Sequence, residues 1–242
     1  MAEVSFLRHA GWFSPEDAQD TWLNIIGVGA TGSEIGRTAA KMGFTKFRIW
    51  DADIVESHNL PNQAYDVEHV GMRKVDAFKD VLTRFNPRVV VETNPVFFES
   101  ATHKDELDGI LVLTVDTMSA RKDIFNAFNM NWNVKLVFET RLGFDYGELN
   151  VLDPLDPTTL KEWNGGLLND EDIPEGPCNL RICTTLVNMI SAYTVHAMCG
   201  TMHGEKTGET FGVGKKTIFN VSNGITTYEL KKKEKESCEL SL

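Results

Sequence analysis

A glycine-rich turn over residues 27–32 (GVGATG) constrains the fold of this chain more than any other feature. Residues 21–26 before the turn form a short apolar run that predicts a strand, and residues 33–42 after it have the apolar spacing of a helix. Such glycines let backbone amides approach a phosphate at the positive end of a helix. The turn therefore predicts a nucleotide site on a strand–turn–helix unit, with a tight turn of purely structural function as the alternative. The glycines are Gly27, Gly29 and Gly32.

Segments of strand and helix character alternate as far as residue 140. Residues 109–115 (GILVLTV) form a continuous apolar run, which is typical of a parallel strand buried on both faces. The other predicted strands cover residues 46–50, 89–93 and 134–140, and the predicted helices cover residues 73–85, 103–108 (the weakest) and 119–129. The alternation predicts an α/β fold that is Rossmann-like, with a mostly parallel sheet and helices on both faces.

The pattern changes after Arg141. Residues 145–152 predict an antiparallel strand, and the segments that follow are a polar loop with four prolines over residues 153–177, a helix over residues 179–199 and a hairpin over residues 217–230. We expect an N-terminal arm over residues 1–20, one domain over residues 21–230 that ends in an antiparallel extension, and a charged tail over residues 231–242.

The charge of the chain excludes some classes of partner. Among 242 residues, 24 Lys and Arg stand against 35 Asp and Glu, which gives a net charge of −11. A field of this sign repels nucleic-acid backbones, so no nucleic-acid partner is expected. No run approaches the ~18 consecutive apolar residues of a membrane span, and the first residues lack the order of a signal peptide. We therefore expect a cytoplasmic protein without a membrane partner.

The cysteines indicate neither a disulfide framework nor a zinc site. They are few and form no CxxC pair. Cys178 precedes a predicted helix, Cys183 is expected to pack inward, Cys199 to lie in the core or at a cap, and Cys238 to lie in the tail. All four are expected to be free thiols.

Asp51 closes the second predicted strand about twenty residues after the glycine turn. A carboxylate in this place accepts hydrogen bonds from a ribose in the dinucleotide-binding fold. The glycine turn and Asp51 alone would suit an NAD(P)-dependent oxidoreductase.

Three later motifs point elsewhere. Residues 51–63 (DADIVESHNLPNQ), 71–74 (GMRK) and 116–121 (DTMSAR) follow the turn in this order. Together they resemble the MoeB/ThiF family, which includes the ubiquitin-activating enzymes and typically carries D-x-D-x-V, N-L-x-R-Q, G-x-x-K and D-x-x-x-x-R. The likeness covers roughly residues 20 to 200. It implies ATP and Mg²⁺ as cofactors, a homodimer, and adenylation of the C-terminal carboxylate of a ubiquitin-like or sulfur-carrier protein that ends in Gly-Gly.

The resemblance assigns roles within the motifs. Joining a carboxylate to the α-phosphorus of ATP brings two anions together, so the site must supply positive charge. The family pattern gives Asp51 the ribose, Asn59 and Lys74 the phosphates, and Asp116 the Mg²⁺. It adds Asp53, Asn62, Gln63 and Arg73 to the nucleotide site. Other readings stay open: Lys74 as a solvated residue, Asp116 as a helix N-cap, and Asp53 as a brace of its loop.

One departure from the pattern concerns positive charge, because Asn62 stands where the family usually has arginine. Arg73, Arg37 or Arg8 could replace that charge, and Arg8 is the first candidate because in family dimers an arginine can reach the partner's ATP. Arg121 fits the spacing of the last motif; a helix-surface ion pair is its alternative.

Two further features bear on the substrate. Cys178 lies where the resemblance places a cysteine that forms a thioester or persulfide, and a thiolate at a helix N-terminus is nucleophilic; some relatives adenylate without a cysteine. Arg141 follows a buried strand and faces the cleft of an open α/β sheet. It either binds the incoming carboxylate or forms an ion pair with Glu139.

The sequence thus predicts an ATP-dependent adenylyltransferase. The alternatives are the oxidoreductase, a dehydratase-like enzyme that modifies tRNA, and a homologue with reduced or no catalysis, which the loss of arginine at Asn62 makes credible.

Overall fold

The computed structural model describes residues 4–8, 10–18, 20–143, 145–172, 184–207 and 215–220, and the backbone of residues 224–228. One mixed sheet organises them. Its strands are β1 (Trp22–Ile26), β2 (Lys46–Trp50), β3 (Val90–Asn94), β4 (Gly109–Leu113), β5 (Val134–Leu142), β6 (Tyr146–Leu152), β7 (Lys216–Asn220) and β8 (Gly224–Tyr228).

The helices of the described ranges alternate with these strands. They are α1 (Pro15–Ala18), α2 (Ala30–Met42), α3 (Lys74–Phe85), α4 (Ser100–His103), α5 (Met118–Phe128), α6 (Pro157–Gly165) and α7 (Thr184–Thr207), with 3-10 turns at Ser57–Asn59, Val67–His69, Lys104–Glu106 and Asp170–Asp172. No helix in this part of the chain has the length and hydropathy that crossing a membrane requires.

The eight strands lie in the order β3-β2-β1-β4-β5-β6-β7-β8. Neighbours from β3 to β5 are parallel, whereas β5–β6, β6–β7 and β7–β8 are antiparallel. The predicted fold class is confirmed, including the antiparallel extension. The strand order reverses between β1 and β4, and in open α/β sheets ligands bind at the carboxyl ends of the strands beside such a reversal.

Alternation along the strands divides the core between two faces of the sheet. Ile25 and Phe138 pack with α2, α3 and α7, whereas their neighbours Ile26 and Val137 pack with α5 and α6. All four side chains are buried. Helices on both faces were predicted, and the reason is that both faces of the central strands are apolar.

Several predicted boundaries need correction. The predicted loop over residues 153–177 contains α6, which begins at the N-cap Asp156 with Pro157 as its first residue, and buries Leu160 and Trp163 one turn apart. α2 begins at Ala30, before the predicted start at residue 33, and the weak helix is α4 with the turn after it, beginning at Ser100. The hairpin of β7 and β8 is confirmed, whereas its turn and the tail lie outside the described residues.

Candidate nucleotide site

The three glycines of the turn have different structural roles. Gly27 has φ +90°, and a Cβ on it would lie 3.1 Å from the backbone oxygen of Thr114. A Cβ on Gly32 would lie 1.9 Å from the oxygen of Gly27. No described atom lies within 4 Å of a Cβ built on Gly29, the N-cap of α2. Folding therefore requires glycine at positions 27 and 32, and Gly29 borders open space at the positive end of a helix.

Asp51 braces the turn. Its Oδ2 accepts a hydrogen bond from the Val28 amide at 2.9 Å, and its Oδ1 accepts one from the Asp53 amide at 2.9 Å. Burial raises the pKa of the Asp51 carboxyl, and the charge of Lys74 partly offsets the rise. The carboxylate is thus held in place at the end of β2, and each oxygen retains a lone pair for a ligand.

Lys74 is buried against Asp53. The side chain of Lys74 pairs with Oδ2 of Asp53 at 2.7 Å, and the Lys74 amide donates to the Asp53 carbonyl at 2.9 Å. Lys74 is only 8% exposed, so its reading as a solvated residue is wrong. The pair fixes an ammonium group at the first residue of α3, and Asp53 does brace the loop.

The segment that follows the turn at Ser57–Asn59 is docked on the glycine turn. The Ala64 amide donates to the Ser33 hydroxyl at 3.0 Å, and the Tyr65 hydroxyl donates to the Val28 carbonyl at 2.6 Å. Asn59 is buried and accepts a hydrogen bond from the Glu56 amide at 2.8 Å. Burial raises the pKa of Tyr65 well above its usual value, so it remains a hydrogen-bond donor.

Two side-chain amide oxygens in this segment lack a partner within the described ranges. Oδ1 of Asn62 and Oε1 of Gln63 are buried, and no described residue donates a hydrogen bond to either. Buried polar atoms are nearly always paired, by protein, water or ligand, because an unpaired one costs roughly 1–3 kcal/mol. These two amides are therefore suited to a polar ligand held against the glycine turn.

Asp116 lies on the other side of the turn. The Thr114 hydroxyl donates to the Gly27 carbonyl at 2.5 Å, which ties the end of β4 to the turn. Asp116, two residues later, is exposed and has no hydrogen bond or ion pair with any described residue. The N-cap of α5 is Thr117, which accepts from the Ala120 amide at 3.3 Å, so the N-cap reading of Asp116 is wrong.

The arginines predicted for this region differ in their exposure and in their ion pairs. Arg73 is exposed at the N-cap of α3, and Arg37 pairs with Glu34. Arg8 is exposed, and no described contact joins it to the turn. Arg121 is not at the helix surface: it is 4% exposed and paired with Glu139, and burial lowers the pKa of Arg121. Glu139 also pairs with Arg141 at 2.7 Å, so that predicted ion pair is confirmed.

The described ranges contain one of the four thiols and one cluster of possible metal ligands. Cys178, Cys183 and Cys238 lie outside the described residues. Cys199 is in the core as expected, and burial raises its pKa to about 12. Glu68, His69 and Asp80 lie close enough to share an ion. However, Nδ1 of His69 accepts from the Asp66 amide and Nε2 contacts Asp80, so neither ring nitrogen is free for a metal.

Thr114 and Tyr65 are site residues that sequence reasoning missed. Neither carries charge or belongs to a motif quoted above, and both act through hydrogen bonds to the backbone of the glycine turn. Among the predicted nucleotide residues, Asp51, Asp53 and Lys74 are linked to one another and to the glycine turn by hydrogen bonds at the carboxyl end of β2.

Comparisons with known proteins extend this picture. A sequence model of the ThiF family matches residues 10–240. Ubiquitin-like modifier-activating enzyme 5 of Drosophila mojavensis is 28% identical over 134 residues, 48% of this chain and 34% of the relative. Adenylyltransferase and sulfurtransferase UBA4 of Saccharomyces cerevisiae (strain YJM789) is 27% identical over 137 residues, 56% of this chain and 31% of the relative. The chain thus spans about a third of the length of these curated relatives.

Solved structures share the fold. The crystal structure of PaaA superposes with a TM-score of 0.69 at 20% identity, covering 89% of this chain and 65% of PaaA. The structure of E. coli MccB with ATP gives a TM-score of 0.66 at 15% identity, again over 89% of this chain and 65% of the other.

Proposed function

The chain belongs to the ThiF family, and from this premise we propose that it is an ATP-dependent adenylyltransferase. The observation that carries the proposal is the buried ammonium of Lys74, which is fixed by Asp53 and interacts electrostatically with Asp51, the residue that braces the glycine turn before α2. A cation beside a glycine turn that leads into a helix N-terminus suits a polyphosphate. The unpaired amides of Asn62 and Gln63 fit a polar ligand in the same place.

The proposed reaction activates a carboxylate. One carboxylate oxygen bonds to the α-phosphorus of ATP, the bond from that phosphorus to the pyrophosphate oxygen breaks, and pyrophosphate leaves. Lys74 and the amides at the start of α2 stabilise the charge that develops on the phosphates. Asp51 holds the ribose. The nucleotide-bound MccB structures and the adenylyltransferase among the relatives support this assignment.

Magnesium is proposed at Asp116. Asp116 is an exposed carboxylate that makes no hydrogen bond within the described ranges, and it is a hard oxygen donor of the kind Mg²⁺ prefers. Mg²⁺ usually combines one or two carboxylates with substrate phosphates. The ion would neutralise phosphate charge, which matters more here because Asn62 supplies none. Asn59 and Arg73 complete the phosphate side of the site.

The substrate proposed is the C-terminal carboxylate of a ubiquitin-like or sulfur-carrier protein that ends in Gly-Gly. The names of the curated relatives support this class. We also propose a homodimer in which Arg8 reaches the partner subunit's ATP. In a second proposed step the thiolate of Cys178 bonds to the acyl carbon of the acyl-adenylate, the bond from that carbon to the phosphate oxygen breaks, and AMP leaves.

The test of the function is nucleotide binding followed by ATP–pyrophosphate exchange. We expect Mg-ATP, and not NAD, to raise the thermal unfolding temperature, and exchange to require a carrier that ends in Gly-Gly. Lys74→Ala should lower exchange at least about a hundredfold, as expected when a stabilising charge is removed. Lys79→Ala, an exposed lysine of the same helix, is the matched control and should be unaffected.

Three results would contradict the proposal. Protection by NAD in place of Mg-ATP would favour the oxidoreductase. Mg-ATP binding without exchange for any carrier would favour a nucleotide-binding protein without catalysis. Equal exchange in Lys74→Ala and Lys79→Ala would remove Lys74 from the site.

A further inference from the structure

A buried charged centre at the end of β5 is not explained by nucleotide binding. The side chain of Glu139 is 0% exposed. Its Oε1 accepts from Arg121 and, at 2.7 Å, from Nε of Arg141; its Oε2 accepts from Asn150 at 2.6 Å and from the indole of Trp163 at 3.2 Å. Both carboxylate oxygens are thus fully engaged, and the centre is rigidly assembled from β5, β6, α5 and α6.

This centre extends to a second carboxylate and a third cation, and Asp116 lies within Coulombic range of Arg121. Asn150 also donates to Glu148 at 2.7 Å, and Glu148 pairs with Lys216 at 2.9 Å. The connected groups are three cations, Arg121, Arg141 and Lys216, and two carboxylates, Glu139 and Glu148. Arg121 and Glu139 are buried and paired with each other, and Lys216 is 43% exposed to water, so Arg141 is the member of this centre that can still pair with an anion from outside the protein.

Arg141 is the member that can receive that anion. Its side chain is 21% exposed, against 4% for Arg121. Its one hydrogen bond to a described residue is from Nε to Glu139, and its guanidinium carbon lies 5.8 Å from the Trp163 ring centroid. Both terminal NH₂ groups therefore have no partner in the described part of the chain. A guanidinium held at one edge and free at the other presents a planar fork that matches a carboxylate.

The sheet places Arg141 beside the nucleotide site. Glu139 is in register with Leu113, and Leu113 with Ile26, the residue before the glycine turn. Arg141 lies two residues further toward the carboxyl edge, on the same face as Glu139. Thr140, between them, donates to the Thr31 hydroxyl in the first turn of α2 at 3.3 Å.

The backbone before Asp116 is connected to Arg141 through Arg121. Arg121, which shares Glu139 with Arg141, also donates to the carbonyls of Val115 and Thr140. The backbone just before Asp116 is therefore tied to the same buried centre. An anion on Arg141 would lie at the carboxyl edge of β5, on the face of the sheet that carries α5 and α6 and beside the segment proposed to hold Mg²⁺.

We propose that Arg141 is the substrate-binding residue that orients the carboxylate for adenylation; the inference rests on the proposed function. The fork of Arg141 donates to the carboxylate oxygen that does not attack. The other oxygen bonds to the α-phosphorus as pyrophosphate leaves, so the held oxygen becomes the carbonyl oxygen of the acyl-adenylate. Arg141 therefore contacts the acyl group before and after the step, and Glu139 and Trp163 position its guanidinium.

The test compares two probes on the whole chain by calorimetry. The affinity for Mg-ATP tests the nucleotide site alone. The affinity for 5′-O-(N-glycylsulfamoyl)adenosine, an unreactive analogue of glycyl-adenylate, also tests recognition of the acyl oxygen. We expect Arg141→Gln to bind Mg-ATP within about twofold of wild type and the acyl analogue at least about tenfold more weakly, since charged hydrogen bonds are the strong ones. Arg141→Lys should recover part of the loss. Arg84→Gln, an exposed arginine of α3, should leave both affinities unchanged.

Each outcome decides one question. If wild type does not bind Mg-ATP, the proposed function fails. If wild type binds Mg-ATP and Arg141→Gln binds the acyl analogue as well as wild type does, the assignment of Arg141 is overturned while the function stands. Equal losses for both probes would make Arg141 a nucleotide contact and would also overturn it. Thermal unfolding of each variant shows whether a loss reflects the site, and Arg141→Lys, which keeps the ion pair with Glu139, separates binding from folding.

Discussion

Among single residues, Gly29 and Gly32 separate the demands of ligand binding from those of folding. A side chain on Gly32 meets the backbone of its own turn, whereas a side chain on Gly29 meets only the space in which we place phosphate. The two positions look alike in the sequence, because each is a glycine of the same motif.

We therefore expect Gly32→Ala and Gly29→Ala to fail in different assays. Gly32→Ala should lower the free energy of unfolding by about 2 kcal/mol or more, because the backbone must shift to relieve the clash. Gly29→Ala should fold nearly as stably as wild type and bind Mg-ATP at least about tenfold more weakly. Urea unfolding and calorimetry measure the two effects. Wild-type affinity in Gly29→Ala would show that phosphate does not approach this residue.

Cys199 is a second residue with a specific expectation. Burial raises the pKa of its thiol to about 12, so the reactive thiolate is nearly absent at pH 8. Mass-spectrometric mapping after brief alkylation with iodoacetamide at pH 8 should find Cys199 unmodified in the folded protein and modified in urea. Rapid alkylation of Cys199 in the folded protein would contradict the structure.

The sequence predicted the charged residues that surround the glycine turn better than the neutral ones. Asp51 and Lys74 stand in motifs with fixed spacing, so their convergence was predictable. Thr114 and Tyr65 act on the turn from residues 87 and 37 positions away, respectively, and no local pattern reveals such contacts. The burial of Arg121 depends on a carboxylate 18 residues later, which helical periodicity cannot show.

Among the helices and strands, α6 shows why the composition of residues 153–177 wrongly predicted a loop. Its segment is polar and lies between prolines, which favours a loop, but Asp156 and Pro157 form the N-cap and first residue of a helix. Strands with continuous apolar runs were predicted within a few residues, because burial on both faces leaves a strong signal.

The N-cap of α6 is expected to contribute measurably to the free energy of unfolding, and this contribution is expected to depend on pH. Asp156 accepts from the Thr158 and Thr159 amides and pairs with Lys215 at 2.8 Å. The hydrogen bonds from Lys215 and Thr159 hold the pKa of Asp156 well below its usual value. Because the pKa is lower in the folded state, the stabilisation is complete above the unfolded pKa of about 3.9 and is lost as pH falls below it.

Asp156→Ala should therefore lower the free energy of unfolding by about 1 kcal/mol at pH 7. The difference from wild type should shrink as the pH is lowered from about 4 toward 2. Urea titrations at several pH values measure both. A difference that grows in acid would mean that the cap does not depend on the carboxylate.

At the scale of the whole molecule, the proposed homodimer makes a prediction that no single chain can show. If Arg8 contacts the partner subunit's ATP, each site contains Lys74 from one subunit and Arg8 from the other. Arg8→Ala and Lys74→Ala then remove residues that different subunits contribute to the same site. Mixed dimers of the two variants then contain one intact site. Exchange activity of the refolded mixture should reach about a quarter of wild type, since half the dimers are mixed and each has one active site of two. No recovery above either variant alone would argue that Arg8 acts within its own chain or not at all.

The short connection between β5 and β6 has a kinetic consequence. β5 and β6 are joined by residues 143–145, whereas β1 pairs with β4 across more than 80 residues of chain. Closing a short loop costs little entropy, so the hairpin should form earlier in refolding than the parallel centre of the sheet. It brings Glu139 and Asn150 together before Arg121 arrives from α5. Until α5 docks, the only described cation paired with the Glu139 carboxylate is Arg141 of the same strand, so completion of this buried centre depends on assembly of the parallel part of the sheet. Pulse-labelled hydrogen exchange should show β6 amides protected before those of β1.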